Sequence, residues 1–83
     1  MDYMSEVKKL GFRRYQAERG DTFSDGITTV SYRISYDGGV GVVERKTGKS
    51  FPKKRLLETT QSISNISEGL NWSLDMMKKY RVR

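Results

Sequence analysis

Residues 28–36 constrain the fold more than any other stretch of this sequence. Thr28, Val30, Tyr32, Ile34 and Tyr36 are apolar or β-prone, and Thr29, Ser31, Arg33 and Ser35 alternate with them as polar residues. Successive side chains of a strand point to opposite faces, so this period of two predicts a half-buried strand with Tyr32 and Tyr36 turned inward. Arg33, with Ser31 and Ser35 beside it, falls on the opposite face, where it could contact phosphates if that face is open. Asp37-Gly38-Gly39 follows and supplies the positive-φ residues of a tight hairpin. Val40, Val42 and Val43 then begin a return strand to about Lys46. A sheet with one apolar face must bury it against another layer.

The flanks supply candidates for that layer. Tyr3, Val7 and Leu10 recur at helical spacing, and Gly11 follows as a left-handed stop with Phe12 placed to fold back on the last turn. This predicts a short helix over about residues 2–10. Residues 12–18, between Gly11 and Gly20, read as a first strand, and residues 20–26, rich in Gly, Asp, Ser and Thr, read as a loop. Pro52 suits the first turn of a helix. Beyond it Leu56, Ile63, Leu70 and Met77 recur every seven residues, which predicts an amphipathic helix from about Lys53 to Tyr80. Such a helix would be about 40 Å long, against about 30 Å for the width of a domain of this size. It should therefore break near Gly69, with Asn71 capping a second segment, or else overhang and pair with a second copy of the chain.

The expected architecture is α+β, with a short N-terminal helix, a three-stranded antiparallel sheet, and a C-terminal helix, long or broken near Gly69, packed on one face. The 83 residues form one domain, with a basic tail over residues 78–83. This order of elements resembles that of double-stranded-RNA-binding domains and of arm-type integrase domains. The resemblance is one of order alone, and the characteristic residues of neither family occur.

Composition excludes several chemistries. The chain has neither cysteine nor histidine. Disulfides, thiolate metal sites and the commonest general base near neutral pH are thereby removed, and neither a metal nor a cofactor is expected. Lack of disulfides favours a reducing, cytoplasmic setting. No apolar run is long enough for a membrane span, and no signal peptide is visible. Gly48-Lys49-Ser50 looks like the end of a phosphate-binding loop, but Val43 stands where that motif needs its first glycine. No pair of acids is spaced for acid–base work, and the chain is not expected to be an enzyme. Asp21 and Asp25 could hold a hard cation only weakly.

Charge is the remaining clue. The net charge is +6, and residues 45–55 alone carry six cations and no acid. Read as a turn leading into a helix start, that block opposes the helix dipole, while free N–H groups beside three cations make an anion site. The expected function is a small basic nucleic-acid-binding protein, with DNA slightly favoured over RNA for want of an exposed aromatic platform. Its contacts would come from Arg45, Lys46, Lys49, Ser50, Lys53, Lys54 and Arg55, helped by Lys78, Lys79 and Arg81. The alternative is a protein-interaction module, a small inhibitor or adaptor, docking on an acidic surface or through Trp72. A homodimer through the C-terminal helix is the other partner considered.

Overall fold

The computed structural model describes residues 2–48 and 53–82. The chain is α+β, but its sheet has five strands rather than three, and its last helix is about half the expected length. In chain order the elements are α1 (Tyr3–Lys9), β1 (Arg13–Ala17), β2 (Gly20–Ser24), β3 (Thr28–Ser35), β4 (Gly38–Thr47), β5 (Lys53–Ile63) and α2 (Ile66–Tyr80). The sheet is an antiparallel meander in sequence order, with β1 and β5 at its edges.

The N-terminal helix and its stop follow local chemistry. Gly11 has φ 87°, its N–H donates to Lys8 O, and the Phe12 N–H donates to Val7 O. These bonds satisfy the terminal carbonyls and fold the buried Phe12 back under the helix. The chain then runs straight into β1.

Two expectations fail for identifiable reasons. Residues 20–24 look like a loop because they are polar, yet they form β2. Phe23 is fully buried, and Asp21 is 4% exposed, accepting from Arg14 Nε at 2.8 Å and from the Tyr32 hydroxyl. Gly20 is needed for close approach: a Cβ there would lie 2.0 Å from Tyr32 O. Residues 53–63 form β5 instead of the first part of a long helix. The register shifts between Val43 and Glu44 on β4, where Glu58 pairs with Val43 and Leu56 with Glu44. Leu57 is the extra residue, a bulge. It packs on the core while Leu56 is 58% exposed. The bulge breaks the period of two, so the stretch does not look like a strand in the sequence.

Helix α2 begins where Asn65 accepts a hydrogen bond from Glu68 N at 2.9 Å and Glu68 Oε1 accepts from Ser64 N at 2.8 Å. These two bonds cap the start of the helix. Gly69 lies inside the helix rather than at a break, and Asn71 caps nothing. A Cβ on Gly69 would stand 2.3 Å from the Tyr32 ring, so the glycine lets helix and strand approach. With 15 residues, about 22 Å, α2 fits on a molecule of 37 × 31 × 21 Å. The helix does not overhang the molecule, and its length gives no reason for pairing with a second copy. The order shared with the two families above also lapses with the five strands.

The core lies between the helices and one face of the sheet. Val7 and Phe12 from the N-terminal segment meet Phe23, Val30, Tyr32, Val43 and Ile63 of the sheet and Met76 and Met77 of α2. Tyr32 is inward as expected. Tyr36 is not: β3 ends at Ser35, and Tyr36 sits in the two-residue turn before Gly38, 98% exposed. Among the described residues no helix is long and apolar enough to cross a membrane.

Candidate nucleic-acid interface

The pairing register assigns every sheet residue to a face. Phe23, Val30 and Val43 lie in one row beneath the helices. Their neighbours along each strand point the other way, and no element of the described chain covers them. This open face is ordered in rows. Its central row runs Tyr15, Thr22, Ser31, Val42, Thr59 across all five strands and carries no charge. On one side lies the row Arg13, Ser24, Thr29, Glu44, Leu56, and beyond it the pair Lys46 and Lys54. On the other side lies Ala17, Gly20, Arg33, Val40.

Three depressions mark this side of the molecule. The largest of the three, about 670 Å³, is lined by Val40 and Val42, by Thr22 and Ser31, and by Arg19 and Arg33. Glu18 lines it too. A second, about 200 Å³, lies beside Thr29, Glu44, Lys46 and Lys54. A third, about 260 Å³, lies beside Arg13 and Tyr15. Among the described residues the linings of these depressions thus present five cations, Arg13, Arg19, Arg33, Lys46 and Lys54, against three carboxylates, Glu18, Asp25 and Glu44. Apolar groups are exposed between them: Tyr15 at 54%, Leu56 at 58% and Val40 at 41%.

The basic block of the sequence is split by the fold. Lys46 and Lys54 reach the open face. Arg45, Lys53 and Arg55 lie on the helix side of β4 and β5, where Arg45 pairs with Arg55 and Thr47 with Lys53. They are strand residues, so the expected helix start behind an anion site does not exist. Lys49 and Ser50 lie outside the described residues. Arg45 is already engaged: Nη2 donates to Tyr80 O at 2.5 Å and Nε to Thr28 Oγ1 at 3.3 Å. A guanidinium there complements the carboxyl end of α2.

That contact brings the second basic segment alongside the first. Lys78 Nζ lies 3.8 Å from Glu6, and Lys79 Nζ donates to Glu58 at 3.0 Å. The Tyr80 hydroxyl donates to the same Glu58 oxygen at 2.6 Å. Hydrogen bonds from Tyr80 and Lys79 hold the Glu58 carboxyl below the usual glutamate range, and the same contact raises Lys79. Arg81 follows as the exposed C-cap. Sequence-distant cations therefore gather at one corner, several already paired within the protein. Trp72 is half-buried, and a Cβ on Gly41 would stand 2.5 Å from its ring. It covers the helix-side face of β4 and belongs to the packing around the core.

Asp21 and Asp25 do separate structural work rather than sharing a cation. Asp21 closes the Arg14–Tyr32 contact. Burial, and next the hydrogen bond to Asp21, raise the Tyr32 phenol far above its usual value. Asp25 Oδ1 accepts from the N–H groups of Ile27 and Thr28 in the β2–β3 turn.

Sequence reasoning misses Arg13, Tyr15 and Arg19 as site residues. They sit on and beside a short strand whose alternation is weak, and only the β1–β2 and β2–β3 registers bring them onto the same face as Arg33. A signal does exist for Arg33, since it stands on the polar side of the best-patterned strand. Comparison with family models, with curated proteins and with solved structures found no match.

Proposed function

We propose that this protein binds nucleic acid, and that the open face of its sheet is the contact surface. What supports this reading is one observation: among the described residues, the face left uncovered by both helices carries five cations against three carboxylates. Cations on a surface of this kind neutralise phosphates and release counterions, which supplies sequence-independent affinity. The corner formed by Arg55, Lys78, Lys79 and Arg81 adds positive field to one end of the same sheet. Of the basic block, Lys46 and Lys54 stay in the contact set, and Arg13, Arg19 and Arg33 join them. The sequence-based preference for DNA rests on the want of an exposed aromatic residue. Exposure of Tyr15 and Tyr36 removes that reason, and the proposal is for nucleic acid without it.

The test is a titration of labelled single-stranded and duplex oligonucleotides at low and moderate salt. Binding should weaken steeply with salt, and reversing two charges (R13E with R33E) should abolish it while the thermal transition stays in place. No binding to either oligonucleotide at low salt overturns the reading.

A further inference from the structure

We infer that the occupant of the open face is a single nucleic-acid strand with unpaired bases, lying across the β-strands along the uncharged central row. This rests on the nucleic-acid reading and narrows it. The order of the rows carries it. Adjacent strands are about 4.8 Å apart, so the row from Tyr15 to Thr59 is about 19 Å long. Same-face neighbours along a strand are about 6.7 Å apart, so cations flank this row on both sides at that spacing or a small multiple of it. Arg13, Lys46 and Lys54 stand on one side and Arg33 on the other, with Arg19 at the edge of the groove.

Phosphates carry charge and bases carry apolar π-faces. A surface matched to a single strand therefore needs uncharged ground for bases between cations for the backbone. The central row supplies a phenol ring, two threonines, a serine and a valine. The groove over Val40 and Val42 has the Thr22 and Ser31 hydroxyls to meet base edges.

A duplex fits less well. Its bases face one another, and proteins that read them insert a helix or a two-stranded ribbon into a groove. Here α2 packs its buried side on the sheet, and α1 is seven residues with Val7 buried. A duplex laid on this face would meet it through phosphates alone and leave Tyr15, Val40 and Val42 unused. A second copy fits less well too. Packing two such faces together would bring the cations of both copies into one interface, and like-charge juxtaposition there is costly.

The test compares a short oligo(dT), an oligo(U), a duplex of equal length and polyglutamate, using the intact chain. Either single strand should bind at least tenfold more tightly than the duplex. Y15A should weaken single-strand binding roughly 5- to 150-fold, the range for losing one stacked base, and leave duplex binding within twofold. Y15F, which keeps the ring, should restore it. The salt slope for the single strand should be about −3, at about −0.7 for each of four phosphates, and R33A should reduce it by about 0.7. An exposed edge-strand position makes loss of fold in Y15A readily separable by circular dichroism. Equal affinity for duplex and single strand, or an unaltered Y15A, overturns the inference while leaving nucleic-acid binding standing. Failure of every oligonucleotide overturns both, and polyglutamate bound as tightly as oligo(dT) assigns the face to an acidic protein instead.

Discussion

The two faces of the sheet are made from the same strands, yet they differ in kind. On the covered face Phe23, Val30 and Val43 are fully buried, and the polar groups Asp21, Arg14 and Tyr32 bind one another. On the open face the next residues along, Thr22, Ser31 and Val42, border a groove with arginines on its lining. The covered face is specified by shape and by satisfied hydrogen bonds. The open face keeps exposed apolar and cationic groups that contribute little to stability. Stability and binding are thus assigned to alternate residues of one chain segment, and a period of two lets them vary independently.

The sharpest way to break that contrast uses neighbouring residues. Replacing Phe23 by Ala should cost about 3–5 kcal/mol, because a fully buried ring leaves a cavity. Replacing Thr22 by Val, one residue away, should change stability by less than about 0.5 kcal/mol. Urea unfolding measures both, and similar losses at the two positions would end the distinction. An intermediate effect is expected at Gly69. Alanine is favoured over glycine in a helix by about 1 kcal/mol, but its Cβ would stand 2.3 Å from a Tyr32 ring held in place by Asp21. Overpacking of that kind costs about 1–3 kcal/mol, so G69A should lower the unfolding midpoint. A raised midpoint would mean that the helix–sheet contact is looser than the geometry indicates.

The smallest effect concerns the border of the two faces, where Glu58 on β5 ties down the end of α2. Its carboxyl titrates below the usual glutamate range because Tyr80 and Lys79 bond to it. A depressed carboxyl contributes stability above its unfolded value, about 4.3, and that contribution disappears as pH falls through the lower folded value. Thermal melts of the wild type and E58Q should therefore differ slightly near neutral pH and converge in acid. The difference is small because the pair is solvent-exposed. A gap that widened on acidification would contradict the assignment.

Part of this architecture is legible in the amino-acid order. The alternation over residues 28–35 is strict because β3 is the central strand with one face buried, and the Gly11 stop is a local bond pattern that needs no distant partner. The cap at Asn65 and Glu68 is equally local, and its spacing in the sequence marks the start of α2. The seven-residue recurrence of Leu56, Ile63, Leu70 and Met77 masks it, since it spans a strand and a helix that share no face.

The sequence by itself determined the α1 stop, the β3–β4 hairpin and the inward placement of Tyr32, because each follows from bonds or periods within a few residues. Only the tertiary structure decided that residues 20–24 and 53–63 are strands. The first depends on Asp21 finding Arg14 and Tyr32 as partners, and the second on a bulge that hides its alternation. Tertiary structure also decided the candidate site. Arg13, Tyr15 and Arg33 come onto one face through strand register, which no run of adjacent residues encodes.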